Sequence, residues 1–128
     1  MGNYTEIFVC CRVKEGPAVQ VLQFMLEGSS PHPDFNTPEH PLFSTPRWNF
    51  MLQCSSYYHV PRSMHRFEWD DIGKYHVLIS RSDFKNYDNE VELFFDWLRP
   101  HLDADSDDMI GYARYEETRE PTIYYGRP

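Results

Sequence analysis

The sequence predicts an α+β protein of one domain, residues 1–128, on the ferredoxin-like (split βαβ) plan: an antiparallel sheet with two helices on one face, an extra hairpin strand and a C-terminal extension. Three observations lead there. Short segments rich in β-branched and aromatic residues alternate with two segments of helical period, the order reads β-α-β-β-α-β, and no internal repeat or shift in composition divides the chain. Right-handed crossovers would put the first and third main strands in the middle of the sheet.

Glu6–Lys14 (EIFVCCRVK) is too short for a helix and reads as a strand with Ile7, Val9, Cys11 and Val13 on one face. Phe8 and Cys10 point the other way. Pro17 at a first helical position and Gly28 just past the end frame a helix, AVQVLQFMLE. Its valines also permit a strand, but helical projection gathers Gln20, Gln23 and Glu27 on one polar strip, which alternation would not do. Ser29–Arg47 follows, with five prolines and no sustained period, far longer than a usual connection. Its Phe35, Leu42 and Phe43 suggest that it packs on a surplus apolar helix face. Asn49–Tyr58 reads as a central strand with Phe50, Leu52, Cys54, Ser56 and Tyr58 on one face, and Arg66–Trp69 as a short strand turning through Asp71-Ile72-Gly73 into Tyr75–Ser80.

The strongest periodic signal is Asn86–Asp103, where Val91, Phe95, Leu98 and Leu102 form one stripe of an amphipathic helix. Asn86, Asp88 or Asn89 can cap its start, and Asn89 with Glu92 would make a capping box. Pro100 must end, kink or tighten it near Arg99. Leu93 and Trp97 form a second stripe with Phe94 between the two, so more than half of this helix requires cover. After an aspartate-rich loop, Met109–Glu117 reads as a strand whose small residues Gly111 and Ala113 let a helix approach closely. Pro121 breaks the run and Thr122–Tyr125 returns as an edge strand.

A formal charge of −8 argues against a nucleic-acid-binding face, which needs Lys and Arg to neutralise phosphates, and allows a basic protein partner. Three cysteines make no disulfide framework, and the start MGNYTEIFVC lacks a signal segment, so a cytoplasmic location is expected. No apolar run is long enough to span a bilayer, and no membrane attachment is expected. The aromatic share of 16% exceeds what a small core can hide, so some rings should line a pocket or an interface.

Asp103-x-Asp105-x-Asp107 opens like a calcium loop, but Asp108 replaces the turn glycine and Arg114 the closing glutamate, so a solvated acidic turn is preferred. His59, His65 and His76 with Cys54 are zinc-type ligands without diagnostic spacing, and His32, Asp34, Glu39 and His40 have no scaffold to hold them. No metal, cofactor or catalytic residue is assigned, since nucleophile elbows, phosphate-binding glycine runs and dinucleotide fingerprints are all missing. A non-enzymatic binding protein is therefore expected. Its interface would be Leu93, Phe94, Trp97 and His101, closed by a homodimer through that helix, unless Phe35, Leu42 or Phe43 covers the patch internally. The alternative is an apolar-ligand cleft flanked by Trp48, Tyr57, Tyr58 and Trp69, and the third reading a small hydrolase or metal-dependent enzyme.

The segments YARYEETREPTIYY and SRSDFKNYDNEVELFFDWLRP resemble parts of small uncharacterised bacterial accessory proteins, some carried on mobile gene cassettes and some acting as toxin immunity proteins. The likeness spans about the last third of the chain and carries no functional motif. It implies a bacterial cytoplasmic binding protein.

Overall fold

The computed structural model describes residues 3–27, 36–56 and 62–127. Five antiparallel strands form one sheet: β1 (Thr5–Lys14), β2 (Met64–Asp70), β3 (Tyr75–Phe84), β4 (Met109–Tyr115) and β5 (Thr122–Tyr125). They lie in the order β2-β3-β1-β4-β5. The helices are α1 (Pro17–Glu27) and α2 (Glu90–Leu98), and one hydrophobic core takes in both together with one face of the sheet. The protein is thus α+β, with a five-stranded antiparallel sheet and two helices.

Alternation decides which face of β1 is covered. Ile7, Val9 and Val13 are fully buried, while Cys10, Arg12 and Lys14 are exposed. Helix α1 buries Ala18, Val21, Leu22, Met25 and Leu26 and leaves Gln20, Gln23 and Glu27 in water, as the polar strip requires. On α2 the expected stripe of Val91, Phe95 and Leu98 is inside, and Leu102 follows it beyond the tight turn Arg99–His101. Pro100 cannot donate to the Asp96 carbonyl, so the helix tightens there instead of continuing. Gly111 earns its place on β4: a Cβ there would stand 2.2 Å from the Phe8 carbonyl oxygen and 2.8 Å from the Phe95 ring.

The expected strand over Asn49–Tyr58 does not form in its described part. Trp48–Phe50 is a 3-10 turn, residues 51–53 continue as turn, and residues 57–61 lie outside the described set. The reason is a competing period. Trp48, Met51 and Leu52 fall at i, i+3 and i+4 and all three are buried, whereas Phe50, which alternation would put on the same face as Leu52, is exposed. The edge of β3 is occupied by β2, in register from Met64↔Arg81 to Asp70↔Tyr75. The capping box is also absent. Asn89 sits in the left-handed region at φ 60° with no side-chain bond, while Asn86 Oδ1 accepts from the Val91 N–H at 3.1 Å and Glu90 Oε1 from the Asp88 N–H at 2.9 Å. Glu92 instead accepts from the Tyr124 hydroxyl.

Candidate binding surface

The helix patch expected to meet a partner is covered by the chain itself. Phe94 is fully buried and Trp97 is 4% exposed; Leu93 packs against the core, and the half-buried His101 ring lies 5.3 Å from Trp97. The cover is the described end of the long connection, whose first part, Phe35 included, lies outside the described residues. Leu42 is fully buried, and Phe43 meets Trp97 edge-on at 5.3 Å and Trp48 at 4.8 Å. His40 accepts from the Leu42 N–H through Nδ1, which leaves Nε2 to donate to Asp96 Oδ2 at 2.9 Å on α2. Arg47 completes the fastening: it bonds the fully buried Glu90 at 2.9 Å and lies against the rings of Phe84 and Tyr87. Of the four residues expected at a homodimer contact, Phe94 and Trp97 are therefore buried within the chain and Leu93 and His101 are partly exposed.

Of the expected aromatic cleft residues, the two described ones, Trp48 and Trp69, lie in different surroundings. Tyr57 and Tyr58 lie outside the described residues, and Trp48 is a core residue beside Phe24 and Phe43. Trp69 is on the edge strand β2, its ring 5.0 Å from His76. Of the proposed metal ligands, His59 is outside the described set, and among the described residues no three His, Cys, Asp or Glu side chains group as a metal would need. The aspartate-rich loop is used internally, with Asp108 Oδ2 accepting from the Asp105 N–H and facing Arg12 at 3.4 Å.

Among the described residues, the other face of the sheet is open over its middle. The register places its side chains in rows across the first three strands. Met64, Arg81 and Phe8 share one row; Arg66, Ile79 and Cys10 the next; then Glu68, Val77 and Arg12; then Asp70, Tyr75 and Lys14. Phe8 continues onto β4 by stacking on Tyr112 at 5.2 Å, and Tyr112 pairs with Ile123 of β5. Met64 is 62% exposed, Ile79 41% and Ile123 43%, and the Cys10 thiol is exposed among them. A groove of about 530 Å³ runs over this face between β2 and β3, lined by Val77, Ile79 and Ile72 with Arg66, Glu68, Asp70 and Asp71.

One end of the face is ionic and internally balanced. Arg81 donates to Glu6 at 2.9 Å and to both oxygens of Asp83 at 2.8 and 3.1 Å, and Arg114 Nε stands 3.2 Å from Glu6. Burial works against the Arg81 charge, but the bonds from Asp83 and Glu6 outweigh it, so Arg81 holds its proton more firmly than usual. Burial, with Glu6 alongside, raises the Tyr112 phenol above its ordinary value. Two cations against two anions leave this end with little to offer a charged partner. The apolar middle of the face has no such internal answer.

The cysteines divide in the same way. Cys11, on the covered face, is pushed up to about 12 by burial and by its neighbour Cys10, so it behaves as a small hydrophobe. A second concavity, a polar cleft of about 400 Å³, opens where the start of α2 meets β4 and β5, with Glu92, Glu120, Tyr87, Tyr115 and Tyr124 among its walls.

No family model matches the chain, and no curated protein or solved structure matches it either. No helix among the described residues is long and apolar enough to cross a membrane.

Sequence reasoning separated Phe8 and Cys10 from the inward face of β1 but gave them no role. The missed signal was that β1 and β3 are apolar on both sides, with Phe8 and Cys10 on one strand and Val77 and Ile79 on the other. A strand with one solvated face alternates cleanly, and these two do not.

Proposed function

We propose that this chain is a non-enzymatic binding protein whose working surface is the uncovered face of the sheet, and that its partner is another protein. The observation that carries this reading is the contiguous apolar strip of Met64, Ile79, Cys10, Phe8, Tyr112 and Ile123 on a face that neither of the described helices shields. Soluble proteins seldom leave such a strip open without use. A flat strip of this kind, with charges around it, has the anatomy of a protein contact, apolar at the centre and polar at the rim.

The ferredoxin-like plan belongs to the same reading. Its support is that β1 lies between β3 and β4 with β2 outside β3, the order that plan needs when Met64–Asp70 takes the part expected of Asn49–Tyr58. In that arrangement β5 is the appended edge strand.

The test is a co-purification with three baits. The wild type and Gln20→Glu, a change on the exposed side of α1, should retain the same partner, and Ile79→Glu should lose it while keeping its circular dichroism. Equal retention by all three baits would remove the sheet face from consideration. A second reading, a small-ligand module, is favoured by the polar cleft at the start of α2, and a thermal shift with a small polar compound, abolished by Glu120→Gln, would support it over the protein partner.

A further inference from the structure

We infer that the partner of the uncovered sheet face is a second copy of this chain, paired face to face about a two-fold axis running along β3. This rests on the reading of that face as the binding surface and adds the identity of the occupant. The argument is a charge pattern visible only in the register. Val77 has Glu68 on its β2 side and Arg12 on its β1 side; Tyr75 has Asp70 on its β2 side and Lys14 on its β1 side. Acid therefore flanks β3 on one side and base on the other, in the same two rows; Glu68 pairs with Arg66 at 2.8 Å and Arg12 with Asp108 at 3.4 Å within the chain, exposed pairs weak enough to be exchanged for contacts across the two-fold. A two-fold axis along β3 exchanges the β2 and β1 positions of each row, which sets Glu68 opposite Arg12 and Asp70 opposite Lys14 of the other copy, twice over. An isologous contact requires this self-complementarity, and an unrelated partner would not.

Within the three strands β2, β3 and β1 the apolar positions follow the same operation; Arg66 falls opposite Cys10, and Tyr112 and Ile123 lie outside the overlap because β2 is the edge strand. Val77 and Ile79 lie on the axis and meet their own copies, and Met64 falls opposite Phe8, so the centre is apolar. Arg81, which also lies on the axis, is already neutralised by Glu6 and Asp83. Sheets pack face to face at about 10 Å, within reach of such side chains. Three strands about 4.8 Å apart and seven residues long give a footprint of roughly 14 by 24 Å, small for a specific contact, so the dimer is reversible and depends on concentration. The formal charge of −8 on each copy opposes approach at long range, which leaves the apolar centre and the paired rows to supply the attraction.

Sedimentation of charge-reversed variants tests this. Wild type should show a reversible monomer–dimer equilibrium. Arg12→Glu and Glu68→Arg should each weaken it by roughly a hundredfold, since each sets like charges opposite one another twice. An equimolar mixture of the two variants should recover the dimer, because each restores the other's pairs. Arg12 also holds the Asp103 carbonyl and faces Asp108, and Asp70 accepts from the Ile72 and Gly73 N–H groups of the turn, so if Arg12→Glu alters the circular dichroism, Lys14→Glu alone, which sets like charges opposite Asp70, takes its place and should weaken the dimer in the same way. A wild type that stays monomeric to its solubility limit, variants that dimerise as well as wild type, or a mixture no better than its components would each overturn the self-pairing. If self-pairing fails while Ile79→Glu still strips the bait of its partner, the face serves a different protein; if Ile79→Glu keeps the partner, the face itself is not the surface.

Discussion

Arg47 shows how much of this fold hangs on single side chains. It reaches Glu90, fully buried at the start of α2, at 2.9 Å, and is held against Phe84 and Tyr87 at 5.0 and 4.8 Å from the ring centres. Removing one partner of a buried pair leaves the other charge uncompensated, so Arg47→Ala should cost about 3 kcal/mol, read as a lower midpoint in urea. Nothing in the sequence marked Arg47 or Glu90 as partners, because 43 residues separate them and only the folded connection brings them together. His101 gives a pH dependence of definite sign. Burial, and then Lys14, lower its pKa below the ordinary histidine value. The unfolded chain therefore takes up the proton first as pH falls, and the neutral ring contributes stability above the unfolded value that is lost below it. Wild type should lose stability between neutral pH and the acid side of that window more steeply than His101→Gln; identical slopes would remove His101 from the account.

At the scale of elements, α1 and the core stripe of α2 were legible because their periods have no rival: Pro17 starts one, a polar strip orients it, and Val91, Phe95 and Leu98 recur at helical spacing. The second stripe of α2 was legible as apolar, with the long connection as one of two possible covers, but which of the two was not. Its shield, Leu42 and Phe43, arrives from a connection without any period, so only the fold shows where it lands. The Asn49–Tyr58 strand was misread because two-residue alternation of Phe50, Leu52 and Cys54 competes with the three-and-four spacing of Trp48, Met51 and Leu52, and packing favoured the latter. These assignments carry consequences. Trp97→Glu would set a charge at a site 4% exposed, so it should unfold the protein instead of yielding a folded monomer, seen as loss of the cooperative thermal transition. Gly111→Ala should destabilise by about 2–3 kcal/mol, since the new Cβ meets the Phe8 carbonyl, which is backbone and cannot step aside. An unchanged melting temperature would mean that β4 can move away from β1 at no cost.

For the whole molecule, the two sides of the sheet have opposite fates, and the cysteines report on both. Cys11 is sealed beneath the helices, and burial with its neighbour Cys10 raises it to about 12; Cys10, one residue earlier, is exposed at the middle of the open face. The composition announced a surplus of aromatic and apolar side chains but not where it would surface, since that depends on which strand neighbours which. The rows that set Glu68 and Arg12 on either side of Val77 exist only once β2, β3 and β1 are in register. The most direct measurement is therefore the rate at which Cys10 is alkylated in dilute and in concentrated protein, followed by mass spectrometry with Cys11 as the internal control. Face-to-face pairing predicts rapid modification of Cys10 at dilution, marked slowing as concentration rises, no slowing in Glu68→Arg, and an inert Cys11 throughout. A Cys10 rate that is the same at every concentration would contradict it.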